Sequence, residues 1–315
     1  MKERIVDAVL KNALLLLLIA GVLIFALFNP GYLTVSNMTV IMKQASLLGL
    51  LGIAQMTIML TGNIDLSIGS TIALSTILWC GMIKNTDIPS AVPMILITLS
   101  GAGLGCLTGL ITTKLNIPPF ITTFATNYAY RGIAWLLVGS TIIYNLPPSF
   151  RFIGTDDFLG VPITIWLLVI IGAIILVLLK KTTLGRRMYF TGSNRKAARY
   201  SGIHTDRIII TAYMIGNAIA AFTGVLYAAR LNAAEASIGA NFSLDSIAVC
   251  LIGGCAITGG KGGVWGTVIG AIIVTAIKNG MNYAQVSSEL QTLVLGVLIV
   301  IAVFFNQQVD KIQRK

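Results

Sequence analysis

Apolar residues run along this chain in long blocks broken by short stretches of glycine, proline and charge. Ten blocks can be laid out, at roughly 12–28, 38–60, 66–83, 92–113, 118–138, 163–180, 208–229, 244–258, 264–283 and 289–306. Runs such as Asn12–Phe28 and Val92–Thr113 match the roughly 20 residues a helix needs to cross a bilayer. Strands of a membrane barrel would be about ten residues long and would alternate apolar with polar. Backbone groups at membrane depth have to be bonded within the chain, so the pattern predicts helices. The expectation is an all-α polytopic membrane protein with about ten transmembrane helices, forming one transmembrane domain over residues 1–315. The first block shows no small-residue cleavage site and is read as the first span rather than a signal peptide.

Composition supports the same class. Hydrophobic residues make up 56% of the chain and charged residues 10%, against about 25% charged in a soluble domain; mean hydropathy is +0.88. So little charge could not cover a soluble surface, and lipid removes that need. The net charge of +11 invites a nucleic-acid reading, but basic cytoplasmic loops account for it. Lys180, Lys181, Arg186, Arg187, Arg195, Lys196, Arg199 and Arg207 stand against the single acid Asp206 in one inter-block loop, which therefore belongs in the cytoplasm. Alternating outward from it places Lys2, Arg4 and Lys11 inside with Lys311, Arg314 and Lys315. Asp87 and the pair Asp156/Asp157 fall outside. Both termini are expected in the cytoplasm, with the protein multi-pass in a bacterial inner membrane. Cys80, Cys106, Cys250 and Cys255 all sit in apolar runs without metal-ligand spacing and read as small hydrophobes.

A weak internal repeat adds to this picture. Leu60–Thr61–Gly62, six residues, then Gly69–Ser70 recurs as Ile257–Thr258–Gly259, six residues, then Gly266–Thr267. Blocks 2 and 3 would correspond to blocks 8 and 9, a parallel repeat of the kind seen in transporters. The alternative is chance recurrence of small residues in glycine-rich helices.

Three stretches carry polar chemistry. In the first, Thr61–Ser70, Asp65 is flanked by Asn63, Ser67 and Ser70 with glycines on both sides. A charge at membrane depth is expensive, and irregular backbone there is tolerated only where it is buried in protein or lines a wet cavity. Asp65, Asn63 or Ser67 could cap the next helix, or the same residues could line a solute path; both readings stay open. The second is the basic loop, about 181–207. Asn194 is an expected helix cap, Ala197 and Ala198 lie in the short helix that follows, and Gly202 is its stop. Such a segment could dock on a soluble partner, stay solvated, or rest on anionic membrane lipid. The third, Leu244–Gly280, is rich in glycine, which lets helices approach closely. It fails as a phosphate loop: Lys261 would need glycine at 255, which is Cys255, and Ser or Thr at 262, which is Gly262. The other intramembrane polar residues are Lys43, Asn127, Arg131 and Lys278. Lys43 could snorkel, while Arg131 and Lys278 are harder to place at an interface; pairing, a wet cavity and snorkelling stay open for Arg131. No catalytic triad, metal cluster or carboxylate pair is found, which disfavours an integral-membrane enzyme.

Taken together, Gly62–Asn63–Ile64–Asp65–Leu66–Ser67–Ile68–Gly69–Ser70, Thr183–Arg186 with Gly192–Ile203, and Leu244–Asp245 through Gly259–Gly260–Lys261–Gly262 and Asn279–Gly280 resemble the permease subunits of bacterial monosaccharide ABC importers, the ribose, galactose and xylose type. Asn63 and Ser193 stand where that family has glycine, and Ser243 where Glu is common. The resemblance implies that the loop carrying Gly185, Arg186, Gly192, Asn194, Ala197, Ala198 and Gly202 couples to an ATP-binding subunit or tandem ATPase. It also implies a second permease chain (identical or not) and an extracytoplasmic sugar-binding protein. ATP and Mg would sit on the partner ATPase, with no cofactor on this chain and no nucleic-acid partner. Candidates for the translocation path are Asn63, Asp65, Ser67, Asn127 and Arg131. Rival readings are a same-fold importer for nucleosides, branched amino acids or a sugar-derived signal, and an ion-coupled secondary carrier centred on Asp65.

Overall fold

The computed structural model describes residues 23, 25–27, 31–85, 89 and 91–313. Most of the first expected span lies outside these residues, as do Lys2, Arg4, Lys11, Asp87, Arg314 and Lys315. Each later apolar block coincides with a helix. In chain order the helices are α1 (Val35–Met59), α2 (Ile68–Asn85), α3 (Ala91–Lys114), α4 (Pro119–Val138), α5 (Pro148–Thr155), α6 (Ile163–Lys181), α7 (Thr183–Ser193), α8 (Arg195–Tyr200), α9 (Thr205–Leu231), α10 (Phe242–Ile252), α11 (Val264–Tyr283) and α12 (Ser288–Gln313). Four two-residue strands join the loops: β1 (Ile143–Tyr144), β2 (Asp157–Phe158), β3 (Val161–Pro162) and β4 (Ala233–Ala234), with β1 antiparallel to β4 and β2 to β3.

Burial reverses the soluble pattern. Ser46, Gln55, Thr57, Asp65, Ser67 and Asn217 are buried, while Leu136 is 88% exposed and Val169, Ile170, Ile174 and Val177 line an open face of α6. Thr164, Leu168, Gly172, Ile175 and Leu179 form the opposite, buried face of that helix. An apolar exterior around a partly polar interior is what lipid as solvent selects. Among the described residues five helices, α1, α3, α6, α9 and α11, are long and apolar enough to cross a membrane. The all-α membrane fold is as the sequence indicated.

α10 departs from expectation. The block at 244–258 reads as one span, yet the helix stops at Ile252. Eleven residues rise only about 16 Å, roughly half the hydrocarbon thickness. Its end is set by close packing: a Cβ at Gly253 would stand 2.5 Å from the Gly266 carbonyl oxygen, and Gly254 takes a φ of +84°. From there the chain runs irregularly to Gly263.

α1 and α9 form the centre. Every residue of α1 from Ala45 to Met59 is buried, because α9, α10, α11 and α6 surround it. α9 packs along α3, α1 and α2. Its contact with α3 depends on glycine. A Cβ at Gly105 would lie 2.2 Å from the Tyr213 carbonyl oxygen, and one at Gly101 would lie 2.5 Å from that of Asn217. Backbones approach this closely only where side chains are absent. Loops that charge assigns to one side also meet: residues 60–62, 192 and 258–260 at one end, β1 and β4 at the other. Lys43 pairs with Asp157 of the β2–β3 hairpin at 3.1 Å, so its charge is compensated.

Replacing Gly105 by Ala should force α3 from α9 and destabilise the protein by about 1–3 kcal/mol. Gly103→Ala on the same helix meets nothing within 4 Å and should leave stability unchanged. Thermal unfolding of the two purified variants in one detergent checks this.

Candidate coupling junction and solute path

The segment between α1 and α2 is unwound inside the protein, so its backbone groups need partners that no helix supplies. At its start, the Thr61 hydroxyl donates to the Ile58 carbonyl at 2.7 Å. The Asn63 amide donates to the Thr61 carbonyl and hydroxyl at 3.1 and 2.8 Å. Further on the partners come from other helices. Gln55 of α1 stands 3.1 Å from both Asp65 backbone groups, oriented to donate to the carbonyl and accept from the N–H. The Tyr213 hydroxyl donates to the Ile64 carbonyl at 3.3 Å. Ser243 Oγ, on α10, donates to the Leu66 carbonyl at 2.7 Å and accepts from Gly69 N–H at 3.0 Å.

Asp65 is fully buried. Its Oδ1 accepts from Ser67 N–H at 2.7 Å and Ser67 Oγ at 2.5 Å, and its Oδ2 accepts from Asn217 Nδ2 at 2.8 Å. Asn217 Oδ1 in turn accepts from Thr71 Oγ1 at 2.8 Å. The carboxylate thus starts α2 in the manner of a cap and ties that start to α9. Its donors are all neutral.

The basic loop folds as α7 and α8. Thr182 caps α7 through Gly185 N–H at 3.2 Å. Gly185 makes the elbow with α6 possible, since a Cβ there would lie 2.4 Å from the Leu179 carbonyl oxygen. Asn194 caps α8 through Ala197 N–H at 3.0 Å, and Gly202 takes φ +78° after its end. Asp206 Oδ1 accepts from Arg195 at 2.9 Å and Arg199 at 2.7 Å, which fixes α8 against the first turn of α9. Tyr189 donates to the Gly262 carbonyl at 2.8 Å; burial raises its pKa and keeps it a donor.

These parts meet at four glycines. A Cβ on Gly192 of α7 would stand 2.0 Å from the Leu60 carbonyl oxygen and 2.6 Å from Gly260 N. Gly260 N–H donates to that same Leu60 carbonyl at 3.0 Å. A Cβ on Gly259 would stand 2.7 Å from the Gly62 Cα. The two similar tripeptides, Leu60–Gly62 and Ile257–Gly259, are therefore in contact, and Gly62 (φ +77°) and Gly259 (φ +88°) both take a positive φ. The Gly259 and Gly260 amides are committed to the Ala256 and Leu60 carbonyls, so this glycine-rich stretch forms a packing joint and no phosphate cradle.

Of the expected coupling residues, Gly185 and Ala198 are buried and Gly192 faces this junction, while Arg186, Asn194, Ala197 and Gly202 are exposed. Phe190 and Tyr200, which the sequence reading passed over, are 62% and 90% exposed on the same two helices. The expected path residues fall into two groups. Asn63, Asp65 and Ser67 lie at the unwound segment. Asn127 and Arg131 lie one turn apart on α4, where Arg131 Nη1 donates to the Ala236 and Ile238 carbonyls at 2.6 and 2.7 Å. That loop rests on the start of α2, for a Cβ on Gly69 would lie 2.2 Å from the Gly239 carbonyl oxygen. Lys278 pairs with Asp245 of α10 at 2.6 Å. Two opposite charges in separate apolar blocks were the available signal, since each requires compensation at depth. Among the described residues no group of three or more His, Cys, Asp or Glu could hold a metal ion.

Comparison with known proteins places this arrangement. Residues 37–303 match the family described as branched-chain amino acid transport system / permease component. The ribose import permease protein of Bacillus subtilis is 36% identical over 289 residues, covering 91% of this chain and 89% of its own. The D-allose transport system permease protein of Escherichia coli is 34% identical over 291 residues, 92% and 89% of the two chains. The autoinducer 2 import system permease protein of Escherichia coli is 32% identical over 294 residues, 92% and 85%. No solved structure matches this chain. The chain belongs to the family of importer permease subunits that these relatives represent.

Proposed function

We propose that this chain is the membrane-spanning permease subunit of an ATP-binding-cassette importer and that its solute is a monosaccharide delivered by an extracytoplasmic binding protein. The observation that carries the reading is the junction at Gly192. There the helix pair α7–α8 bears directly on the backbone of the unwound segment beside Asp65, while exposing Phe190 and Tyr200 toward the cytoplasm. The relatives named for ribose and allose favour a sugar.

In this reading the chain makes ten spans with both termini inside, and blocks 2–3 and 8–9 are duplicated, a reading supported by the positive φ common to Gly62 and Gly259. Two permease chains enclose the path. Loaded binding protein docks outside, near residues 84–91 and 139–162. ATP and Mg stay on the partner ATPases, whose closure pushes on α7 and α8. With no side chain between the Gly192, Leu60 and Gly260 backbones, that push reaches both turns without slack. The unwound segment with Asn63, Asp65 and Ser67, and α4 with Asn127 and Arg131, then shift against their counterparts. Neutral solute needs hydrogen-bonding groups but no charge partner, which suits a carboxylate already bonded to three neutral donors.

Pull-downs should separate contact from transmission. Phe190→Ala with Tyr200→Ala should lose the co-purifying ATPase, since anchoring aromatics are worth about 2 kcal/mol or more each at interfaces. Gly192→Val, pointing inward, should keep the ATPase but abolish uptake. Loss of the ATPase with Gly192→Val alone would place the contact at the junction instead.

Reconstitution with the ATPase and binding protein tests the class of transport. Uptake of labelled ribose should require ATP and survive collapse of proton and sodium gradients. Uptake that stops with the gradients at constant ATP would favour an ion-coupled carrier centred on Asp65. ATP-driven uptake of nucleosides, branched amino acids or a sugar-derived signal, with no monosaccharide carried, would keep the importer and change its solute.

A further inference from the structure

A cavity of about 370 Å³ lies between the end of α3 and the start of α9, away from the Gly192 junction and the path but sharing Gly202 with the expected coupling loop. Lys114, the last residue of α3, and Arg207, in the first turn of α9, form two of its walls. Those helices are locked together through Gly101, Gly105 and Gly109, so the cavity sits over a rigid pair of spans. Arg199 supplies a third cation and is held from behind. Its Nε donates to Thr205 Oγ1 at 2.9 Å and its Nη2 to Asp206 Oδ1 at 2.7 Å. Asp206, the one acid lining the cavity, also accepts from Arg195 at 2.9 Å and is thereby committed. Among the described residues, Lys114 and Arg207 have no carboxylate within ion-pair distance. The first-turn N–H groups of α9 add the positive end of a 27-residue helix. Three cations, one of them held from behind, beside a helix N-terminus suit a phosphate group, whose oxygens accept several charge-assisted bonds.

The neighbouring chain points to the source of the phosphate. Leu115 directly follows Lys114 and is 65% exposed, and α4 begins a few residues on with Phe120, 61% exposed and stacked on Phe124 with ring centroids 6.0 Å apart. A cationic cavity at the end of two spans, followed in the chain by exposed apolar side chains, has the two chemistries of a phospholipid, headgroup and acyl chain. Free phosphate would make no use of the apolar residues. We propose that this cavity binds the phosphate headgroup of an anionic phospholipid of the cytoplasmic leaflet, with the acyl chains along the exposed face of α4. The site requires only that the 181–207 loop lie at the cytoplasmic surface, and it stands whichever solute the protein carries.

The test is native mass spectrometry of the full chain in mild detergent, titrated with phosphatidylglycerol or phosphatidylcholine. Phosphatidylglycerol should bind in preference. Lys114→Gln with Arg207→Gln should weaken it about 30-fold, the loss expected for two cations at an anionic lipid surface. The charge-conserving pair Lys114→Arg with Arg207→Lys should retain it, which separates lost charge from lost folding. Lys180→Gln with Lys181→Gln, basic residues exposed outside the cavity, should leave it unchanged. Equal loss in that control pair would make the attraction a property of the whole basic surface and overturn the site. Equal binding of the two lipids would overturn it as well. Displacement of phosphatidylglycerol by inorganic phosphate alone would reassign the cavity to free phosphate.

Discussion

A peptide group that leaves a helix inside a membrane protein has no water to turn to, and the loss of even one hydrogen bond there is expensive. The unwound segment between α1 and α2 meets that constraint with side chains from three helices: Gln55 on α1, Tyr213 and Asn217 on α9, Ser243 on α10. Each of these bonds is also a tether. The segment cannot move alone without orphaning a donor or an acceptor, so any displacement has to carry the start of α2 and the facing parts of α9 and α10 with it. Stabilisation and mechanical connection come from the same hydrogen bonds.

The glycines follow from this. Where the second irregular stretch, 253–263, meets the first, the Gly260 N–H bonds the Leu60 carbonyl, and that carbonyl would otherwise be left over at the end of α1. Gly192 lets α7 reach the same carbonyl closely enough that a methyl group could not fit. Side chains would insert rotamer freedom between the three backbones, whereas backbone on backbone leaves none. The half-length of α10 belongs to the same design, because a helix continued past Ile252 would carry the 253–263 stretch away from the junction.

The elements set by local pattern were legible in the sequence. Apolar blocks gave the helices, eight basic residues against one acid marked the α7–α8 loop, and Asn194 and Gly202 bounded α8. Asp65 drew notice because a carboxylate among apolar residues is costly wherever it lies. Its partners were not legible. Asn217, in the middle of an apolar block, is 152 positions away, and Ser243, just ahead of another block, reaches Leu66 across 177; nothing local indicates a partner for either. The end of α10 was hidden for a related reason. Gly253 and Gly254 are tolerated in continuous membrane helices, and only the approach of Gly266 from another helix makes them a terminus. Gly192 stood out only through the family resemblance, with nothing local to show what it packs against.

The character of the Asp65 site bears on how solute and energy are coupled. An ion-coupled carrier needs a carboxylate that can exchange its partner for a proton or metal ion as the protein cycles. Here both oxygens are engaged by Ser67 and Asn217, and Asn217 is itself fixed by Thr71. A cation taking the place of the Ser67 backbone donor would leave that N–H unpaired in a water-poor interior, a cost of about 1–3 kcal/mol. The same arrangement serves an externally driven permease well. It holds one end of α2 firmly at the segment that, in the proposed function, receives force through Gly192.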